Sequence, residues 1–241
     1  MKLSAPIFQL KRRAKLMARA GDLRLHDALD KVARDEGFAR WSQLSASMAA
    51  GPQSASMSAS VLSRLDDGDL LLMAGRPGQG KTLLGLQLLL DAVRTGRRAV
   101  FFTLEFTEPQ ARAHLAKLAT GAPDLADKVE VVTTEGIGAD LIMAHMSDAA
   151  PGSVAVIDYL QILDQQRSKP PLSDQVAMLS AFTRDKGLIL GFISQIDRSF
   201  DPDQKRLPDI GDLRLPNLVD LGLFTKACFL QGGEAQLQNV A

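Results

Sequence analysis

Residues 75–82, Gly-Arg-Pro-Gly-Gln-Gly-Lys-Thr, match the phosphate-binding pattern G-x-x-x-x-G-K-[ST] at every fixed position. Glycines let the backbone wrap closely around phosphate, so that consecutive N–H groups and a helix N-terminus face the negative charge. Lys81 is expected to reach the β- and γ-phosphates, and the Thr82 hydroxyl to bind Mg²⁺. The segment therefore predicts a nucleoside triphosphate site with Mg²⁺. Its expected contact residues are Gly75, Arg76, Pro77, Gly78, Gln79, Gly80, Lys81 and Thr82.

Three polar residues that follow apolar runs could complete a hydrolysis site. Hydrolysis needs a carboxylate for the metal, a group that positions water and a sensor of the γ-phosphate. Asp158 is expected to hold Mg²⁺, and Glu105 to activate the attacking water, with Glu108 as a competitor that also suits the first turn of a helix. Gln195 is the candidate sensor. The alternative for each of them is an ordinary polar residue at a strand end.

A mainly parallel sheet is needed to bring these residues together. From Asp67 onward, apolar runs alternate with helical patterns, which predicts an α/β fold with helices flanking a parallel sheet. Ligands bind such sheets at the carboxyl ends of the strands, where every candidate residue falls. The strands are predicted at 70–74, 99–104, 129–133, 154–158, 188–194, 223–230 and 235–240, and the helices at 81–95, 108–120, 139–149 and 173–185.

The chain is predicted to contain a small N-terminal module, a linker and a larger domain. Residues 1–45 show three segments with helical spacing of apolar residues, separated by Gly21 and Gly37. Residues 46–60 are small and polar, which predicts a flexible linker. Residues 61–241 form the predicted α/β domain.

Charge is divided unevenly between these parts. The chain has 28 Lys and Arg and 28 Asp and Glu, but its first fifty residues contain ten basic and five acidic residues. This basic module fits contact with nucleic acid or an acidic partner, and a solvated helix face explains the count equally well. Three short helices of this kind suit a DNA-binding helix-turn-helix, a docking module for a protein partner or an N-terminal cap.

The cysteine content and the length of the apolar stretches indicate the compartment in which the protein is expected. Cys228 is the single cysteine and has no disulfide partner in the chain, which favours a reducing setting. No apolar stretch is long enough to cross a bilayer, and the N-terminus lacks the hydrophobic region of a signal peptide. We therefore expect a cytoplasmic protein that has no membrane contact.

Together, the motifs resemble the ATPase domain of DnaB-type replicative helicases, within the RecA-like superfamily of P-loop NTPases. The resemblance covers roughly residues 60–230 and is most specific in Asp158-Tyr159-Leu160-Gln161. It implies ATP and Mg²⁺ as ligands. It also implies catalytic roles for Lys81 on phosphate, for Glu105 as the base and for Gln195 in coupling the ATP state to DNA-contacting loops. The matching stretches are 75–82, 100–108, 156–161, 193–198 and 208–220.

The same resemblance implies that the loops after Asp158 and Gln195 contact single-stranded DNA. Both loops are mixed in charge, so binding is expected to be weak and salt-sensitive unless several subunits combine their loops around a channel. A homo-oligomer, such as a hexamer, is therefore expected. The candidate DNA-contact residues are Arg167, Lys169, Arg198, Lys205 and Arg206.

One feature of the DnaB-type enzymes is missing from the tail of this chain. Those enzymes share a Lys-x-Arg-x-Gly stretch whose arginine reaches the nucleotide of a neighbouring subunit, whereas residues 231–241 contain no Lys or Arg. Such an arginine is worth several orders of magnitude in turnover where it is used. Two functions therefore stay open: a DNA helicase that translocates on single strands, and a regulatory or assembly ATPase that acts as a nucleotide-dependent interaction switch without unwinding. A binding module with negligible catalysis would leave Glu105 and Gln195 unexplained.

Overall fold

The structure, a computed structural model, describes residues 4, 7–21, 23–44, 52–164, 169–197, 199–201, 203–213 and 219–240. The chain divides into two units, Met1–Ala55 and Ser56–Ala241. Among the described residues, no helix has both the length and the apolar character that a membrane span requires.

The N-terminal unit is built from helices α1 (Ile7–Ala20) and α2 (Leu25–Asp35), which pack against each other. A short helical turn follows at residues 41–44. Trp41 packs against the apolar core between these elements, and its backbone N–H donates to Asp30 Oδ1 at 2.8 Å. The buried core residues are Leu10, Ala14, Ala28, Val32, Ala33 and Leu44.

The segment predicted as a flexible linker is partly helical. Residues 45–51 lie outside the described part of the chain, whereas residues 52–60 belong to helix α3 (Pro52–Leu62). Proline is well suited to the first turn of a helix, and Ser58 is fully buried and donates a hydrogen bond to Asp91. Tertiary packing thus produces a helix where the sequence shows no hydrophobic period.

The larger unit is organised around a sheet that confirms the predicted α/β fold. Its strand order is β3-β2-β4-β5-β1-β6-β7, and neighbouring strands are parallel except for the antiparallel pair β6 and β7. The strands are β1 (Leu70–Gly75), β2 (Ala99–Thr103), β3 (Val129–Val132), β4 (Val154–Asp158), β5 (Ile189–Gln195), β6 (Lys226–Gln231) and β7 (Glu234–Asn239).

Helices cover both faces of this sheet because successive strand side chains point to opposite sides. Leu70 and Leu72 belong to one apolar cluster, and Leu71 and Met73 to another. The helices are α4 (Lys81–Arg94), α5 (Glu108–Leu118), α6 (Pro123–Asp127), α7 (Ala139–His145) and α8 (Leu172–Lys186). The first cluster includes residues of α7 and α8, and the second includes residues of α4, α5 and α6.

Two local differences from the sequence prediction have clear causes. Strand β6 begins at Lys226 rather than at residue 223, because Leu221–Leu223 form a 3₁₀ turn. The Asp220 side chain caps this turn by accepting a hydrogen bond from the Gly222 N–H at 2.9 Å. The short helix α6 was not predicted, since five residues carry too little periodicity to identify a helix.

Gly85 allows α4 to lie close to the sheet. A Cβ atom at this position would lie 2.9 Å from Val156 Cγ1 and 3.3 Å from Ile193 Cδ1. Both neighbours are buried core residues with little room to move. The glycine therefore sets the distance between the helix that follows the phosphate loop and strands β4 and β5.

We expect Gly85→Val to lower the free energy of unfolding by about 1–3 kcal/mol, because the added side chain overpacks this contact. Chemical denaturation would measure the change. Ala113→Val, on the exposed surface of α5, is the matched control and should stay within about 0.5 kcal/mol. Equal stability of the two variants would show that the helix can move away from the sheet without cost.

Candidate nucleotide site

The phosphate loop joins the end of β1 to the start of α4. Gly75 is the last residue of the strand, and Lys81 is the first residue of the helix. Gly78 and Gly80 have positive φ values of 77° and 87°, which L side chains rarely adopt. These turns direct the loop around the N-terminus of α4, where unpaired N–H groups attract anions. The backbone is therefore shaped for phosphate.

Lys81 holds the loop together from the inside. Its Nζ atom donates hydrogen bonds to the carbonyl oxygens of Gly75 at 2.9 Å and of Arg76 at 3.1 Å. Burial lowers the pKa of Lys81, while the nearby carboxylates of Asp158 and Glu105 raise it. A desolvated ammonium group close to the loop is well placed to exchange these carbonyls for phosphate oxygens.

Thr82 and Asp158 form the second part of the site. The Thr82 hydroxyl donates to Asp158 Oδ2 at 2.9 Å, although the two residues are far apart in the sequence. Asp158 is only 1% exposed, and burial raises the pKa of its carboxyl to about 6; the Thr82 hydrogen bond opposes this shift. A hydroxyl and a carboxylate side by side are the hard oxygen ligands that Mg²⁺ prefers, so the residues present fit that ion.

Glu105 lies at the same edge of the sheet. It is exposed, and its negative charge acts on both Lys81 and Asp158. Its backbone N–H donates to Thr103 Oγ1 at 3.0 Å, and Thr103 is a fully buried residue paired with Asp158 across β2 and β4. The Thr103 hydroxyl therefore fixes the turn that presents Glu105. Sequence reasoning did not identify this role of Thr103.

Gln195 lies beside the phosphate loop. It ends β5, is exposed, and pairs with Gly75 in the parallel register of β1 and β5. The segment that follows is folded back on itself, since the Asp197 N–H donates to the Asp212 carbonyl at 2.9 Å. Any movement of the Gln195 side chain toward a γ-phosphate would therefore act at the start of this segment.

The turn between β6 and β7 also contacts the phosphate loop. The Gly232 N–H donates to Gln79 Oε1 at 2.8 Å, and a Cβ atom on Gly75 would lie 2.8 Å from the Leu230 carbonyl oxygen. The sequence predicted strands on both sides of Gly232-Gly233, but not that this turn lies beside the phosphate loop, because pairing of β6 with β1 is a property of the whole sheet. Gln79 is thus both a loop residue and an anchor for the turn.

The candidate DNA-contact residues are engaged within the chain where the structure describes them. Lys205 Nζ pairs with Asp209 at 2.6 Å and with Asp212 at 2.7 Å. Arg206 pairs with Glu234 at 2.5 Å, and Lys169 donates to the carbonyl of Ile137. Burial lowers the pKa of Lys169, whereas the hydrogen bond from Arg206 to Glu234 raises the pKa of the guanidinium. Arg167 and Arg198 lie outside the described residues.

Comparison with known proteins identifies the family. The family model described as "ATPase: KaiC" matches residues 57–206, which is more than half of the chain. The chain belongs to the KaiC ATPase family. It is accordingly an ATPase, and the matched region contains the phosphate loop, Glu105, Asp158 and Gln195. No curated protein matches this KaiC-family chain.

Solved structures share the same fold. One, described as an ATPase domain, has 16% sequence identity and a TM-score of 0.53, with 68% of this chain and 69% of that chain covered. Another, "The Structure Of A DnaB-Like Replicative Helicase And Its Interactions With Primase", has 14% identity and a TM-score of 0.56. It covers 73% of this KaiC-family chain, which spans 55% of that structure. The RecA-like P-loop fold predicted from the sequence is confirmed.

Thr103→Val should lower kcat for ATP hydrolysis roughly fivefold and leave the KM for ATP nearly unchanged, because the turn holding Glu105 loses a hydrogen bond worth about 1 kcal/mol. Steady-state kinetics would measure both constants. Thr103→Ser keeps the hydroxyl and should restore kcat. A fall in kcat shared by the serine variant would assign the effect to lost packing instead.

Gln79→Leu should speed hydrogen exchange of the Gly232 amide about fivefold in the nucleotide-free protein, since the acceptor worth about 1 kcal/mol is removed. Gln79→Glu retains an oxygen acceptor and is the matched control. Amide exchange followed by NMR resolves this single position. Unchanged protection in the leucine variant would mean that the turn is held by β6 and β7 alone.

Proposed function

We propose that this ATPase hydrolyses ATP with Mg²⁺ and couples its nucleotide state to single-stranded DNA. The observation that carries the proposal is the hydrogen bond from Thr82 to Asp158, with Lys81 and Glu105 electrostatically linked to the same carboxylate. Four groups with complementary roles in triphosphate hydrolysis meet at one edge of the sheet.

In this proposal Lys81 leaves the carbonyl oxygens of Gly75 and Arg76 and donates to the β- and γ-phosphates. Thr82 and Asp158 would hold Mg²⁺, which when bound neutralises charge on the phosphate oxygens. Glu105 accepts the proton of the attacking water, and its exposed position at the strand end leaves room for that water. Transfer of the γ-phosphoryl group to this water yields ADP and phosphate.

A continuous set of contacts supports coupling from the nucleotide to the loop after β5. Gln195 lies beside Gly75 immediately before this loop, and Arg206 within the loop pairs with Glu234, the first residue of β7. The turn that precedes Glu234 donates its Gly232 N–H to Gln79 of the phosphate loop. The loop is therefore connected to the phosphate loop by two routes. One runs through Gln195, and the other runs through Arg206 and the β6–β7 hairpin.

The ion pairs of this loop are compatible with DNA binding. The side chains of Lys205 and Arg206 are 41% and 80% exposed, and exposed ion pairs contribute only about 0–1 kcal/mol. A phosphate group can replace their carboxylate partners at small cost. Binding through so few cations should be weak, which supports a homo-oligomer that combines the loops of several copies.

The second candidate is a regulatory or assembly ATPase that switches a protein interaction. It is favoured by residues 231–241, which contain no Lys or Arg in the stretch where the DnaB-type pattern has Lys-x-Arg-x-Gly. Under this function the N-terminal module docks a protein partner, and the pairing of Lys205 and Arg206 within the chain is retained in both nucleotide states.

ATP turnover with and without oligo(dT) separates the two functions. We expect oligo(dT) to raise turnover several-fold, and Lys205→Gln with Arg206→Gln to remove this stimulation. Lys117→Gln, an exposed lysine of α5, is the matched control and should keep both the basal rate and the stimulation. Stimulation that persists in the loop variant, or that is absent from the wild type, would contradict coupling to single-stranded DNA and favour the switch.

The site assignment is tested in the same assay. Lys81→Ala should abolish ATP binding, and Glu105→Gln should preserve binding while lowering kcat by about 10²–10⁴-fold, the usual contribution of a general base. Glu108→Gln is the matched carboxylate variant and should retain turnover. Mass measurement with an ATP analogue and Mg²⁺ should reveal an oligomer, and a persistent monomer would count against translocation.

A further inference from the structure

Helix α1 presents a group of cations without ion-pair partners. Lys11, Arg12, Lys15 and Arg19 are exposed, and none of them forms an ion pair with any part of the chain that the structure describes. At 3.6 residues per turn these four side chains occupy an arc of about 100° on the helix. The buried residue Leu10 lies on the other side, so the cationic arc faces away from the core.

The acidic groups of the same unit are already engaged elsewhere. Each carboxylate in the described part of this unit has its contact with another group of the unit, and none of them pairs with a cation of the arc on α1. The pairs are Asp27 with His26, Asp35 with Arg13, Asp30 with the Trp41 N–H, and Glu36 with Ser4.

Charge outweighs apolar contact on this surface. Three large hydrophobic residues of the unit are exposed, namely Leu16 at 55%, Leu23 at 42% and Leu25 at 45%. Single exposed leucines are ordinary on protein surfaces and are too few for an amphipathic helix or a bilayer. Phe38 and Trp41 are both packed against the core, so neither offers a free ring on which a base could stack.

We propose that the α1 cationic face, defined as Lys11, Arg12, Lys15 and Arg19, binds the phosphate backbone of nucleic acid without reading its bases. The four charges span about 12 Å of helix at 1.5 Å per residue, a length over which a duplex presents several phosphates. Binding is driven by release of counterions and requires no nucleotide at the ATP site. This surface belongs to the N-terminal unit, whereas the loops after β4 and β5 belong to the larger unit, so the proposal goes beyond the function proposed above.

Fluorescence anisotropy tests the proposal with the whole 241-residue chain and no ATP. The probes are labelled oligo(dT) of roughly 30 nucleotides and a labelled duplex of about the same length and mixed sequence, titrated between about 50 and 200 mM KCl. Each phosphate contact contributes about 0.9 to the salt slope on duplex and about 0.7 on a single strand. Replacing all four cations by Gln should therefore reduce the slope by about 3–4 on duplex and by about 3 on oligo(dT).

Two further variants keep the test independent of folding. Lys15→Gln with Arg19→Gln should produce about half of the slope change, and Lys15→Arg with Arg19→Lys should preserve wild-type binding. Lys117→Gln with Lys128→Gln, which removes two exposed lysines of the larger unit, is the matched control and should leave the slope unchanged. Circular dichroism and basal ATP turnover confirm that each variant is folded.

The probe whose affinity falls more in the fourfold Gln variant identifies the form of nucleic acid that this face takes. An unchanged slope in the fourfold Gln variant, or a wild type that binds neither probe at the lowest salt concentration, would overturn the proposal. The second result would leave an acidic protein as the partner of this surface. Failure of the function proposed above is distinguishable, because it appears as a loss of DNA-stimulated turnover while nucleotide-free binding persists.

Discussion

The position of α4 over the sheet decides whether the phosphate loop can work with residues from other strands. Because residue 85 has no side chain, the helix lies within contact distance of Val156 on β4 and Ile193 on β5. Thr82 is almost one turn earlier on the same side of α4, and Asp158 is two residues beyond Val156 on the same side of β4. The reach of the Thr82 hydroxyl to Asp158 depends on this close packing.

On its other side, the phosphate loop lies equally close to strand β6. Gly75 leaves no room for a side chain beside Leu230 of β6, and Gln79 holds the turn that follows β6. Glu234, the partner of Arg206, is the first residue of β7 after this turn. Residues 231–240 therefore meet the phosphate loop through the backbone amide of Gly232.

The two units contribute different physical properties. The larger unit gathers its candidate catalytic groups at one sheet edge, where partial burial lowers the local dielectric and strengthens each interaction. The N-terminal unit has a small core and keeps the four cations of the α1 cationic face exposed to water, where salt screens their interactions beyond about 8–10 Å. The KaiC-family unit thus holds the candidate nucleotide site, and the N-terminal unit carries the cationic face for which we propose phosphate-backbone binding.

Much of the fold could be predicted from the sequence because the central strands β1, β2, β4 and β5 contain continuous apolar runs. The order of strands and helices in the larger unit agrees with the prediction, apart from α6 and the start of β6. Helix α3 could not be predicted, since small polar residues carry no periodicity and its burial depends on a distant helix that supplies Asp91.

The sequence by itself determined the phosphate loop, the carboxylate candidates Glu105 and Asp158, and their common location at the carboxyl ends of parallel strands. These follow from local pattern and from a general rule of parallel sheets. Only the tertiary structure decided that Thr103 holds the turn of Glu105, that Gln79 anchors Gly232, and that Lys205 and Arg206 are paired within the chain. The contacts of Gln79 and Arg206 join segments that are far apart along the chain. No local sequence pattern predicts such contacts, because strand order and loop packing arise from the whole fold.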